Sequence, residues 1–228
     1  MYVRLNFIVE GQTEETFVNQ TLKPHLSRFS VGVSARVVTT SKNRGAKNRG
    51  GLSTYPKAKR DITLWTRQDK NPDVRFTTMF DLYGLKADFP GYNTAATKAD
   101  PYQRVRALEA ALGHDISDWR FIPYIQLHEF EALILTDPRQ LASQFDNCDE
   151  GIARLETMVS RFTSPEHVND NTDTAPSKRI IREIPEYQGR KASAGPIVTA
   201  KIGLSTLRSK CAHFAQWLDK LESLAEGN

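Results

Sequence analysis

The residues best suited to chemistry are acids that stand directly after apolar runs. Glu10 follows the run Val3–Val9, and Glu14 lies four residues later, near one helical turn further on. A third acid, Asp81, ends the apolar stretch Val74–Phe80. Carboxylates that face each other repel unless a cation lies between them, and oxygen ligands of this kind suit Mg²⁺ or Mn²⁺. The pattern therefore predicts a divalent metal site.

Helix and turn capping is a second interpretation of these acids. Thr13 with acids behind it is a helix-start signature, because negative charge is favourable beside the positive end of a helix. Capping accounts fully for Glu15, whereas Glu10 follows a hydrophobic strand directly and does not lie inside the helix. Asp81 could likewise cap the turn after its strand. Both interpretations stay open at this point.

Two more acids follow the last predicted strand, Arg120–Leu127. His128 comes first, and Glu129 and Glu131 stand directly behind it. On a helix the two acids would point roughly 200° apart, so at most one could easily join the same ion. We take Glu129 as the first candidate, since it is nearer the strand end, and Glu131 as the second. His128 could act as a general base, but a hydrogen-bonded structural role is the simpler interpretation.

Alternating apolar patterns predict the elements that position these acids. The predicted strands are Val3–Val9, Val31–Thr40, Val74–Phe80 and Arg120–Leu127, and the predicted helices include Thr13–Phe29, Pro56–Gln68 and Pro101–Gly113. This alternation favours an α/β fold with a mainly parallel, four-stranded sheet flanked by helices. Because the carboxyl ends of parallel strands share one edge, the acids after three of these strands should meet there.

Length and composition bound the organisation of the chain. Residues 1–137 are the predicted α/β core, and residues 138–228 are a mostly helical C-terminal extension packed on it. Within the extension, Ser164 to Pro176 is polar and is predicted to be disorder-prone. No stretch approaches the ~20 apolar residues that span a bilayer, and the N-terminus lacks a signal-peptide pattern. With Cys148 and Cys211 isolated, we expect a cytoplasmic protein with reduced thiols and no membrane attachment.

Positive charge is concentrated in one region. Between Lys42 and Arg60 the chain has seven basic residues and no acid, although its net charge is only +4. By default such a run is a solvated loop and helix face, but beside a metal site it would contact the phosphates of a polyanion. The residues predicted to bind nucleic acid are Lys42, Arg44, Lys47, Arg49 and Lys57.

Several motifs together resemble the DUF4276 family. They are IVEGQTEE, TTMFDLYGLKADFPG, FIPYIQLHEFEALILTDP, APSKRI and IGLSTLRSKCAHFAQWLDKL. That family is grouped with the Toprim-like proteins, which include topoisomerases, primases and OLD-type nucleases. The resemblance implies a Toprim-like Rossmannoid fold with a helical C-terminal extension. It also implies Mg²⁺ ligands, because Glu10 matches the glutamate after the first Toprim strand and Asp81 the first aspartate of its Asp-x-Asp motif. Glu14 matches a further ligand of the OLD-type nucleases.

The chain departs from the Toprim pattern at one position. Tyr83 stands where the second aspartate of Asp-x-Asp is expected. Either a ligand is lost, or Glu129, Glu131 or Asp88 replaces it. Related nucleases also use a lysine to neutralise the reacting phosphate. Here Lys178, Arg179 and Lys201 could each do so, and we take Lys178 as the catalytic candidate beside Glu10 and Asp81.

The resemblance implies an Mg²⁺- or Mn²⁺-dependent nuclease acting on DNA or RNA. Such nucleases often work with ABC- or AAA-type ATPases in bacterial defence against phage. The chain has no Gly-x-x-x-x-Gly-Lys-Ser/Thr loop, so an ATPase would be a separate subunit. The alternative is a non-catalytic Toprim-like module that binds nucleic acid or an ATPase and has a degraded metal site.

Overall fold

The computed structural model describes residues 1–38, 54–168 and 172–226. The strands are β1 (Val3–Val9), β2 (Val31–Val37), β3 (Val74–Asp81), β4 (Phe121–Ile122) and β5 (Ile125–Gln126). The α-helices are α1 (Gln12–Phe17), α2 (Lys23–Leu26), α3 (Tyr55–Gln68), α4 (Tyr92–Ala96), α5 (Pro101–Ile116), α6 (Glu131–Ile134), α7 (Asp149–Val159), α8 (Pro176–Glu183), α9 (Tyr187–Ile202), α10 (Leu204–Lys210) and α11 (Ala212–Glu222). A π-helical segment, Val18–Leu22, joins α1 to α2.

The described strands pair in parallel, in the order β2-β1-β3-β4, and β5 also lies beside β3. In this register Val9, the last residue of β1, lies between Val37 of β2 and Met79 of β3. The predicted α/β fold is therefore confirmed: a mainly parallel sheet is flanked by helices and followed by a helical C-terminal region. No helix among the described residues is both long and apolar enough to cross a membrane.

The prediction of one continuous strand over Arg120–Leu127 was wrong, since β4 and β5 are separate. Pro123 lies between them and has no N–H to donate to the sheet. The hydroxyl of Thr78 on β3 fills this gap. It accepts the N–H of Tyr124 and donates to the carbonyl of Tyr124, both at 2.9 Å. The interrupted strand thus stays attached to the sheet and still ends at the same edge.

The side chains of β1 alternate between two apolar cores, one on each face of the sheet. Phe7 and Val9 pack with the C-terminal helices, whereas Ile8 packs with α3 and α5. Trp217 of α11 meets Phe7 edge to face, with 5.8 Å between ring centroids, and stacks on Tyr124 at 3.9 Å. The C-terminal helices therefore share a core with the sheet that carries the acids.

The described parts of Ser164–Pro176 are folded against this core, so the prediction of disorder was wrong for them. Glu166 is fully buried and accepts the backbone N–H groups of His213 and Phe214, each at 3.0 Å. It also accepts the hydroxyl of Tyr102 at 2.9 Å. One carboxylate thus caps the start of α11, where negative charge is favourable.

Candidate functional site

Five acidic side chains predicted as metal ligands converge at the carboxyl edge of the sheet. We call this set the acidic cluster: Glu10, Glu14, Asp81, Glu129 and Glu131. The charges of the other four all raise the pKa of Asp81, so these four carboxyl groups lie within electrostatic reach of Asp81. Glu10 follows β1 and Glu14 lies in α1, whereas Asp81 is the last residue of β3. Glu129 and Glu131 lie after β5, where α6 begins.

The Glu10 carboxylate joins the ends of the two central strands. Its Oε2 atom accepts the backbone N–H of Asp81 at 3.0 Å. Gly84, in the 3₁₀ turn after β3, lies close to the same carboxylate. A Cβ on Gly84 would stand 2.6 Å from Oε1 and 2.7 Å from Oε2 of Glu10. The absence of a side chain at Gly84 therefore lets this turn approach Glu10, a role that no local sequence pattern predicts.

Glu14 belongs to the acidic cluster and also caps α1. Its Oε2 atom accepts the N–H of Gly11 at 2.8 Å, so the capping interpretation is confirmed for this residue. Burial, followed by the charges of Glu10 and Glu131, raises the pKa of Glu14 from 4.5 to about 7. A carboxyl group in this environment binds a proton near neutrality, or requires another positive charge beside it.

Asp81 carries the most isolated carboxylate oxygen of the cluster. Its Oδ1 atom is buried and has no hydrogen-bond partner among the described residues. Burial is the main cause that raises the pKa of Asp81 well above its ordinary range, and the neighbouring acids add to it. A buried oxygen without a donor has lost its hydration without compensation. It is therefore a position where a cation or a proton would be strongly favoured.

The C-terminal helices hold Glu129 and Glu131. Glu129 accepts the N–H of Ser177, in the first turn of α8, at 2.9 Å. The Oε1 atom of Glu131 accepts the hydroxyl of Tyr187 at 3.2 Å and lies 3.5 Å from Nζ of Lys191 on α9. Burial raises the pKa of Glu131, and the charge of Lys191 opposes that rise. Nothing local in the sequence connects Ser177, Tyr187 and Lys191 with the acids, so sequence patterns do not predict their contacts.

Tyr83 and His128 connect the segment after β3 with the segment after β5, both of which carry acids of the cluster. The N–H of Tyr83 donates to the carbonyl of His128 at 3.0 Å, and the two rings lie 5.7 Å apart. His128 has a φ of 61°, in the left-handed region that is uncommon for residues other than glycine. Burial lowers the pKa of its imidazole to about 4. This low basicity favours the structural role of His128 over that of a general base.

The predicted cationic residues Lys178 and Lys57 lie in the described part of the chain. Lys178 is exposed on α8, directly after Ser177, and its catalytic role stays a prediction. Lys57 is half-buried in the first turn of α3. The other residues predicted to bind nucleic acid lie outside the described residues: Lys42, Arg44, Lys47 and Arg49.

The donor chemistry of the acidic cluster fits a hard divalent cation. All five groups offer carboxylate oxygens, they repel one another, and Asp81 has a buried oxygen without a donor. Among residues 1–38, 54–168 and 172–226, no three acidic, histidine or cysteine side chains already form a metal-binding group. The fit therefore rests on charge and donor type, with Glu10, Glu14, Asp81 and Glu129 as the candidate ligands.

Comparisons with known proteins identify the family. No curated protein and no solved structure matched the chain. A family model described as a domain of unknown function, DUF4276, matches residues 9–222, a span that includes the whole acidic cluster and the helices that hold it. The relation to Toprim proteins and OLD-type nucleases stays a prediction. The chain belongs to the DUF4276 family.

Proposed function

We propose that this protein is an Mg²⁺- or Mn²⁺-dependent hydrolase of phosphodiester bonds in DNA or RNA. The observation that supports the proposal is the acidic cluster, in which burial and mutual repulsion raise the pKa of Glu14, Asp81 and Glu131. Such an arrangement is unfavourable when all its members are ionised and no cation is near. Oxygen-rich sites of this kind suit hard divalent ions, which also bind substrate phosphates.

The residues of the acidic cluster would have two different roles, metal binding and positioning of α9. Glu10, Glu14, Asp81 and Glu129 are the proposed ligands, and Asp81 would use its unpartnered Oδ1 atom. A bound divalent ion would lower the pKa of a water molecule and neutralise charge on the phosphate. Glu131, whose Oε1 atom already faces Tyr187 and Lys191, would position α9 against the site and supply further negative charge.

The four proposed ligands are not equally free to reorient. Oε2 of Glu14 accepts the N–H of Gly11, which holds this carboxylate at the start of α1. The Glu10 carboxylate accepts the backbone N–H of Asp81, so Glu10 is held against the end of β3. Fixed ligands lower the cost of organising a site when its ion binds.

The motif resemblance supports the wider setting. On that basis we propose a Toprim-like fold related to the OLD-type nucleases, a cytoplasmic location, and a role in bacterial anti-phage defence with a separate ABC- or AAA-type ATPase. Lys178 is the proposed catalytic cation that would neutralise charge on the reacting phosphate. Its exposed position on α8, next to Ser177 whose N–H contacts Glu129, is compatible with movement toward a bound substrate.

A calorimetric Mn²⁺ titration tests the metal site directly. We expect the wild type to bind Mn²⁺ and the Glu10→Ala and Asp81→Ala variants to lose binding while keeping wild-type circular dichroism. Glu15→Ala is the matched control, because it removes a carboxylate from the same turn of α1 but outside the cluster. Absence of binding in folded wild-type protein, or equal losses in all three variants, would contradict the proposed site.

A second candidate function is the non-catalytic module that binds nucleic acid or an ATPase. One observation favours it: Tyr83 occupies the position of the second motif aspartate, and its backbone holds His128. Asp81→Asn separates the two candidates in a Mn²⁺-dependent assay on labelled DNA and RNA. Loss of cleavage with nucleic-acid binding intact supports the hydrolase, whereas unchanged activity of the whole system supports the module.

A further inference from the structure

The outer face of α3 presents a row of positive charge. Arg60 and Arg67 are both exposed and lie seven residues apart, or about 10.5 Å along the helix axis. Lys57 projects on the same side, one turn before Arg60. We call Lys57, Arg60 and Arg67 the α3 basic face. None of these three makes an ion pair with a described residue, so their charge is available to a ligand.

Two cavities adjoin the α3 basic face and meet at Leu64. One, of about 180 Å³, lies between α3 and the end of β2 and is lined by Arg36 and Trp65. The other, of about 570 Å³, is lined by Arg60 and Arg67. The guanidinium of Arg36 lies 4.1 Å from the centre of the Trp65 ring, and Leu64 is 47% exposed. Cations beside exposed apolar side chains suit the phosphates and the sugars or bases of nucleic acid.

One end of this surface lies beside the acidic cluster. The first residue of α3, Tyr55, donates its N–H to Asp88 at 3.0 Å, and Asp88 belongs to the segment that follows Asp81. The N–H of Val38, which lines the smaller cavity, donates at 2.9 Å to the carbonyl of Val9, at the end of β1. The cations of α3 therefore start at the edge of the sheet where the carboxylates converge.

Cations outnumber acids in the lining of the two cavities. Asp115 lines the larger cavity but is paired with Lys59 at 2.9 Å, and it also accepts the hydroxyl of Tyr55. Asp61 lines the smaller cavity and is the one acid in the sequence of α3. The positive charges of the α3 basic face and of Arg36 outnumber this single negative charge. The cations of the α3 basic face make no ion pairs with described residues. They therefore attract a polyanion more strongly than a neutral or positively charged partner.

We infer that the α3 basic face and the two cavities beside it form a binding track for the backbone of a nucleic acid, which leads toward the acidic cluster. This inference rests on the proposed function and states where its substrate lies. The basic side chains contact phosphates, which gives affinity and register without reading sequence. Leu64 and the Arg36–Trp65 pair contact the sugars or bases between those phosphates.

Fluorescence anisotropy with a short fluorescein-labelled single-stranded DNA, in EDTA to prevent cleavage, tests the track. The variant is Arg60→Gln/Arg67→Gln, and the matched control is Arg161→Gln/Lys220→Gln, which removes the same charge from exposed positions elsewhere. Each phosphate contact on a single strand contributes about 0.7 to the slope of log Kobs against log salt. We expect the α3 variant to lose about 1.4 from this slope and the control to keep the wild-type slope.

Two results would overturn the track: equal slopes for the α3 variant and the control, or no binding of the DNA and of RNA of the same sequence by the wild type. A Mn²⁺ titration of the same α3 variant separates this failure from a failure of the proposed metal site. The α3 substitutions leave every member of the acidic cluster in place. Mn²⁺ binding that is retained when DNA binding is lost therefore assigns the defect to the track alone.

Discussion

In the absence of metal, replacing Glu14 by glutamine should stabilise the protein, and increasingly so as the pH rises. Glu14 is buried, and burial with the charges of Glu10 and Glu131 raises its pKa from 4.5 to about 7. A raised pKa in the folded state means that the folded chain binds the proton more tightly than the unfolded chain. The stability from the protonated group is fully present below pH 4.5 and is lost as the pH rises through about 7.

The size of the change in unfolding free energy follows from the pKa shift of Glu14. A pKa raised from 4.5 to about 7 corresponds to roughly 3 kcal/mol of unfolding free energy that is lost once Glu14 ionises. Glutamine keeps an oxygen that can accept the N–H of Gly11, so the cap on α1 is retained. The variant and the wild type should therefore be similarly stable at pH 4.5, and the variant more stable by about 3 kcal/mol well above pH 7.

Urea unfolding in EDTA, followed by circular dichroism across this pH range, measures the difference. Glu15→Gln is the control, since it removes the neighbouring carboxylate, which lies outside the acidic cluster. A Glu14→Gln variant whose advantage stays constant with pH, or that is less stable than the wild type at high pH, would refute the reasoning. With Mn²⁺ present the order should reverse, because the ion needs the charge that the variant lacks.

Three further substitutions test particular contacts. Gly84→Ala should weaken Mn²⁺ binding in calorimetry, because the new Cβ would stand 2.6 Å from Oε1 of Glu10 and displace that carboxylate from the backbone of Asp81. Thr78→Val should lower the unfolding free energy by about 1–3 kcal/mol in urea, since both backbone groups of Tyr124 lose their hydroxyl partner, while Thr78→Ser should retain it. Glu166→Gln should cost about 1–3 kcal/mol in the same assay, because an amide group cannot accept both N–H groups at the start of α11; an unchanged midpoint would argue against this cap.

Local sequence patterns were sufficient to predict that Glu10 and Asp81 lie at the same edge of the sheet. Glu10 and Asp81 stand directly after apolar runs, and the alternation of strands with helices makes those strands parallel. Parallel strands end at one edge, so two acids that are seventy-one positions apart in the sequence lie side by side. The carboxylate of Glu10 accepts a hydrogen bond from the backbone N–H of Asp81. The metal, the reaction and the substrate remain proposals, since carboxylates at one edge are necessary for them but do not specify them.

Other features depended on packing between distant segments. The sequence pattern could locate Glu129 and Glu131, but it could not show that Ser177 would bind the first and Lys191 the second. Likewise, Pro123 marks a break in the last strand, while only the packed sheet places the Thr78 hydroxyl in that gap.

The sequence by itself thus determined the fold class and the edge at which the acids gather, because both follow from periodicities of two and 3.6 residues along the chain. The tertiary structure decided which partners each carboxylate has, how far its pKa rises, and that Gly84 lies against Glu10. These properties arise where the C-terminal helices and the turn after β3 exclude water from the edge of the sheet. No local pattern encodes that exclusion, since it depends on contacts between residues some fifty to seventy positions apart.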